Sequence, residues 1–212
     1  MILTPDQRCK LDPTSDTLFY QQPRFVTHVD DRFIGRLTDL YRQLLRPDTN
    51  ILDLMSSWVS HLPPEVKFKH VVGHGLNQAE LERNPRLDRY FVQNLNENPK
   101  LPLEDQEFDA VLNTVSVQYL EQPELIFAEI YRILKPGGVA IISFSNRMFY
   151  QKAIAAWRDR SDLARVELVK SYFQTTPGFS EPQVFMQESA SFWAQLLPTD
   201  PFYCVVAYRN LS

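Results

Sequence analysis

The sequence predicts an α/β protein with a Rossmann-like, doubly wound and mostly parallel sheet. Three observations carry this reading. Short apolar runs recur at Ile51–Leu54, His70–Gly73, Tyr90–Val92, Phe108–Leu112 and Val139–Phe144. Helical patterns precede and separate them, with apolar residues three and four apart at Phe33–Leu45 and an amphipathic stretch at Glu121–Leu134. A chain of 212 residues is also long enough to bury one sizeable core. Strands alternating with helices call for parallel pairing through right-handed crossovers.

Taken in order, residues 1–32 read as an N-terminal arm and 33–212 as a single domain. Pro5, Pro13 and Pro23 lie among polar residues, so 1–24 is expected to be irregular. Phe33, Leu37, Leu40, Tyr41, Leu44 and Leu45 then mark a helix that Pro47 closes. After Ile51–Leu54, Ser56 and Ser57 are placed to cap a short helix ending at Pro63-Pro64. Asn77 is placed to cap a helix from Gln78 to Arg83, ahead of Pro85. Glu121 to Leu134 predicts a long helix with Leu125, Ile126, Ile130, Ile133 and Leu134 inward. Lys135-Pro136-Gly137-Gly138 is expected to stop it through a left-handed glycine. Helices are expected near Met148–Trp157 and Leu163–Phe173. Gln183–Met186 and Tyr203–Tyr208 read as closing strands.

Composition removes several function classes. Hydrophobic residues make up 44% and charged residues 23%, ordinary for a globular protein. A net charge of -4 gives no bulk attraction to nucleic acid. No apolar run approaches the roughly 18 residues of a membrane span. Met1 to Lys10 lacks the pattern of a signal peptide. Cys9 and Cys204 make no disulfide framework, which points to the reducing cytoplasm. Only 6 glycines are present, so any glycine-rich motif is under pressure.

Two motifs carry a family resemblance. Leu101-Pro102-Leu103-Glu104-Asp105-Gln106-Glu107-Phe108-Asp109-Ala110-Val111 resembles the approach to the fourth strand in class I S-adenosylmethionine (SAM) methyltransferases of the small-molecule, type 11 group. Arg132-Ile133-Leu134-Lys135-Pro136-Gly137-Gly138 resembles that group's entry to the fifth strand. The resemblance covers about residues 33–208. It implies seven strands in the order 3-2-1-4-5-7-6, with the last antiparallel. It also implies SAM as cofactor and a small-molecule substrate that the sequence does not identify.

The resemblance further implies where the cofactor would lie, at the carboxyl ends of the strands. Asp53 matches the acid that follows the first strand. The three glycines of the usual loop fall on Met55, Ser57 and Val59, so that loop is degenerate. Ser56 and Ser57 are expected to offer hydroxyls and amides at a helix start, or else simply to cap it. Gly75 falls where the family places an acid on the ribose diol. Asn77 is the nearest replacement, or else a helix cap. Asn94, followed by Leu95, falls where an acid often meets the adenine amino group. An asparagine oxygen can accept that bond, or Asn94 is a turn residue. Thr114, Val115 and Ser116 are expected along the methionine side.

Methyl transfer depends mainly on positioning, so no catalytic residue is assigned. Gln118, Tyr119, Asn146 and Arg147 are candidates by their place after strands. His70 and His74 lie on a strand and its turn, which argues against a metal site. Tyr131 and Lys135 show a dehydrogenase-like spacing with no dinucleotide fingerprint beside it. Arg24 to Asp31 is a candidate lid. The many aromatic residues after Phe144, including Phe149, Phe192 and Trp193, suit an apolar pocket. The replaced glycines leave a binding or regulatory protein without catalysis as the alternative function. Oligomeric state is not readable.

Overall fold

The computed structural model describes residues 2–187 and 199–211. Among them seven strands form one sheet: β1 (Asn50–Asp53), β2 (His70–Gly75), β3 (Arg89–Val92), β4 (Phe108–Thr114), β5 (Leu134–Phe144), β6 (Gln183–Gln187) and β7 (Phe202–Tyr208). Their order is β3-β2-β1-β4-β5-β7-β6. β1 pairs in parallel with β2 and β4, and β7 runs antiparallel to β5 and β6. The expected topology is therefore present, with β1 inside the sheet.

Both faces of the sheet are buried, which explains why its strands are apolar runs rather than alternating ones. Leu52, Val72, Val111, Ile142 and Val205 share one core with α5 (Pro123–Ile133) and α7 (Asp162–Gln174). Their neighbours Ile51, Val71, Leu112, Ile141 and Val206 share the other with α3 (Asp31–Leu44). Adjacent strand residues point to opposite faces, so one run feeds both cores. In α3, Phe33, Leu37, Leu40 and Tyr41 are buried. Burying each such side chain contributes about 1.5–3 kcal/mol. Asp30 caps α3 by accepting from the Phe33 amide at 2.8 Å.

The two family motifs clamp one another. The Arg132 guanidinium donates to the carbonyls of Leu103 at 2.8 Å and Leu101 at 3.1 Å, and to Asp105 at 2.7 Å. Lys135 bonds Asp109 at 2.7 Å. Gly137 has φ +78°, yet it does not end the helix: α5 stops at Ile133, and Gly137 donates to the Arg209 carbonyl within β5. The left-handed glycine is thus an irregularity of the strand where the chain pairs with β7 and its continuation.

Other expectations change. No helix follows Ser56–Ser57; residues 54–69 are irregular. Met55 and His61 there have φ 59° and 51°, which interrupt a right-handed helix, and Pro63-Pro64 prevents its resumption. The helix expected from Met148 shrinks to α6 (Ala155–Arg158). Leu125 is 42% exposed, because α5 turns Ile126 and Phe127 inward instead. Residues 1–24 carry two one-turn helices, α1 (Pro5–Arg8) and α2 (Asp16–Phe19), each with a side-chain N-cap. Fully buried Lys152 fixes this segment, bonding the Thr14 carbonyl at 2.6 Å and lying 3.1 Å from Asp12. Lys10 pairs with buried Asp16 at 2.5 Å. Phe192 and Trp193 lie outside the described residues.

Candidate functional site

The carboxyl ends of β1, β2 and β4 open on a cavity of about 360 Å³. Such ends are where ligands gather in doubly wound sheets. Asp53, Met55, Ser56 and Ser57 line it after β1; Gly75 and Asn77, the cap of α4 (Gln78–Glu82), after β2. Asn94 and Leu95 line it after β3, and Thr114, Val115 and Ser116 at the end of β4. Every position carried over from the family resemblance therefore borders one space.

Asp53 is 3% exposed and accepts from the Ser56 hydroxyl at 2.6 Å. Burial pushes its carboxyl up to about 6, against the opposing hydrogen bonds of Ser56 and Ser60. The loop after it turns back on β2. Ser56 donates its amide to the His74 carbonyl, and the Met55 amide donates to His74 Nδ1 at 3.1 Å. His74 Nε2 lies 2.9 Å from the Gln93 carbonyl, so it carries the proton. Burial holds this imidazole neutral, with its pKa down at about 4. His74 is a strut between three strand ends rather than a metal ligand, and His70 is exposed at the opposite end of β2.

The same loop explains why position 75 carries no acid. A Cβ on Gly75 would lie 2.6 Å from the Ser56 carbonyl oxygen. The backbone of the loop fills the space a side chain would need. A different carboxylate enters the cavity from α4 (Gln78–Glu82): Glu80, 7% exposed, accepts from Ser57 Oγ at 2.6 Å and from the Arg24 amide at 2.7 Å. Sequence reasoning missed it. Asn77-x-x-Glu80 reads as a helix start, where a glutamate is ordinary.

Asn77 is occupied structurally. It caps α4 by accepting from the Glu80 amide, and its amide donates to the carbonyls of Tyr20 and Gln21. Asn94 shapes its own turn, accepting from the Asn96 amide at 3.1 Å and donating to Glu97 at 2.9 Å. Thr114 bonds the Tyr41 hydroxyl at 2.9 Å. Val115 has φ 52°, a rare conformation for a β-branched residue. Its amide donates to the Ser143 carbonyl, which holds it there. The Ser116 hydroxyl is buried with no hydrogen-bond partner. Val115, Met55 and His61 all border the cavity, so backbone strain of about 1–3 kcal/mol each gathers there.

The N-terminal segment closes the space. Tyr20, Arg24, Val26 and His28 line it, opposite Tyr119, Met148 and Phe149. Trp58 is neither core nor cavity wall: it donates to the Val26 carbonyl at 3.1 Å and packs edge-on against Phe25, tying loop to segment. Tyr119 accepts from the Phe149 amide at 2.8 Å, and burial pushes its hydroxyl up to about 12. Of the other candidates, Arg147 lines the cavity and bonds Asp200 at 2.6 Å. Gln118 is buried and donates to the Val115 carbonyl. Lys135 belongs to the clamp, and Tyr131 packs edge-on against Phe179 beneath Arg209, so neither borders the cavity. Among the described residues no helix is long and apolar enough to cross a membrane.

Comparison with known proteins agrees with this geometry. A family model described as a methyltransferase domain matches residues 59–142. Residues of the chain are 35% identical over 72 positions to the biotin biosynthesis bifunctional protein BioHC of Teredinibacter turnerae, covering 34% of this chain and 13% of that protein. The chain is 29% identical over 214 positions to a demethylmenaquinone methyltransferase of Streptomyces avermitilis, covering 96% of this chain and 85% of that protein. In structure it resembles a chain of the Haloferax volcanii complex between the Trm112 methyltransferase activator and a methyltransferase. That match has a TM-score of 0.63 and 16% identity, covering 85% of this chain and 91% of that one. The sheet order, the matched domain and the relative that spans almost the whole chain converge: the chain has the fold of the class I SAM-dependent methyltransferases and is similar to them in sequence.

Proposed function

We propose that the chain transfers a methyl group from SAM, bound in the cavity at the ends of β1, β2 and β4, to a small molecule. The observation that carries this is the convergence of the family's cofactor positions on that one cavity. The residues present fit the group. Buried Asp53 suits an ammonium, directly or through a water. Glu80 supplies the acceptor for ribose hydroxyls that Gly75 does not. Leu95 offers an apolar surface for the adenine, with Asn94 as the acceptor for its amino group. Ser116, whose hydroxyl is buried and unpartnered, offers a hydrogen bond on the methionine side with Thr114 and Val115. The backbone around Met55, Ser56 and Ser57 completes the wall.

When bound, SAM supplies a methyl group on a positively charged sulfur. The acceptor's lone pair forms the new bond to carbon as the carbon–sulfur bond breaks, its electrons returning to sulfur. The chain's part is alignment and exclusion of water, worth several kcal/mol of barrier when well made. Tyr20, Tyr119, Met148 and Phe149 give the acceptor an apolar enclosure. An acceptor that must lose a proton meets His28 in the same wall, where burial lowers the imidazole's pKa and leaves it neutral.

Calorimetric titration of SAM, followed by incubation with methyl-labelled SAM and a metabolite extract, tests the reading. Saturable binding and a labelled product are expected. SAM at 100 times its dissociation constant should stabilise the fold by about 2.7 kcal/mol. Absence of binding at millimolar SAM would sink it.

A further inference from the structure

We propose that Arg24 is the carboxylate-binding group of this cavity, an assignment that rests on the cavity being the cofactor and acceptor site. The guanidinium lies among three rings, 4.5 Å from the centre of Phe19, 5.5 Å from Tyr20 and 5.3 Å from Phe149. Ring faces stabilise a cation but accept little hydrogen bonding. Of the two terminal nitrogens, Nη2 donates to the Phe19 carbonyl at 2.9 Å. Nη1 is buried and has no acceptor. Such a donor on a permanently charged group is costly to leave unpaired.

The nearby carboxylates do not accept from Nη1. Asp16 is already paired with Lys10 and Lys152. Glu80 takes the backbone amide of Arg24 and the hydroxyl of Ser57, and among the described residues no carboxylate forms an ion pair with the guanidinium. The protein therefore holds a charged, planar, fork-shaped donor at the cavity wall with one of its two terminal nitrogens unpaired. A carboxylate matches that fork with two parallel bonds. A cationic ligand group is disfavoured there, because the three rings already surround a cation.

Two ligands bring a carboxylate to this place: the amino-acid end of the cofactor and an acidic acceptor. Titration of the parent, Arg24→Lys and Arg24→Met separates them. The probes are S-adenosylhomocysteine, 5′-methylthioadenosine, which lacks the amino-acid end, and benzoate or succinate added both to the free protein and to the S-adenosylhomocysteine complex. Melting curves without ligand establish that each variant is folded. If Arg24 holds the cofactor's carboxylate, Arg24→Met weakens S-adenosylhomocysteine at least tenfold and leaves 5′-methylthioadenosine unchanged, with Arg24→Lys between. If it holds the acceptor, S-adenosylhomocysteine is unchanged and the carboxylate probe is lost. Equal binding of every probe to parent and folded Arg24→Met overturns the assignment. Failure of both nucleosides to bind the parent strikes the cofactor reading instead, and the carboxylate arm still reports on Arg24.

Discussion

Residues 101–111 and 132–138 carry the sharpest family signal, yet none of them lines the cavity. The loop at 54–61 lines it extensively and carries the weakest signal. The first region is a clamp. Arg132 reaches two carbonyls and Asp105, and Lys135 reaches Asp109, so the motif residues specify each other. The second region answers to distant elements, and its replacements work together. His74 braces the Met55 amide, the loop backbone fills the space beside Gly75, and Glu80 enters from α4. A family motif can thus mark how a sheet is locked rather than where its chemistry occurs.

The largest effect belongs to the clamp. Arg132→Ala strips two backbone carbonyls of a charged donor. Such bonds contribute about 1.5–3 kcal/mol each, so a loss of roughly 3 kcal/mol or more is expected in denaturant unfolding. Ligand affinity of the remaining folded protein should not change. A marked fall in SAM affinity at full stability would erase the distinction between clamp and cavity.

Next comes Asp53, whose carboxyl the fold holds at about 6 rather than the 3.8 of a free group. Between those values the folded protein binds a proton that the unfolded chain has released. Stability from this group is therefore full below about pH 4 and declines as pH rises to about 6. Asp53→Asn should remove that decline and gain up to about 3 kcal/mol at pH 7.5, on the order of two pKa units. The parent and variant should converge below pH 4, and the variant should bind SAM less tightly. Unfolding curves across pH that run parallel for the two proteins would show that Asp53 is not held this way.

A smaller effect sharpens the account of the loop. Gly75→Asp restores the family's acid but sets its Cβ against the Ser56 carbonyl oxygen. A destabilisation of about 1–3 kcal/mol is expected, as for other overpacked sites, with no gain in SAM affinity. Tenfold tighter binding at parental stability would mean that the loop yields and that the position was merely vacant.

Much of the fold was legible in the sequence. Apolar runs gave the strands, because both faces of this sheet are covered, and the Asn77 cap was readable from residue type and spacing. The two motifs led to the sheet order, and the positions implied by the family resemblance led to the end of the sheet where the cavity opens. What the sequence did not disclose was set by contacts between distant residues. Ser57 looks like a helix cap until Glu80 is beside it, and Arg24 looks like a surface residue until Phe149 closes over it. Periodicity reports that a side chain is buried, not which partner buries it. Local sequence therefore determined the strands, most of the longer helices and the family resemblance. Only the tertiary structure decided that 54–69 forms no helix, that Gly75 has no room for an acid, and that the Arg24 guanidinium comes among three rings at the cavity wall, since each depends on where other segments come to rest.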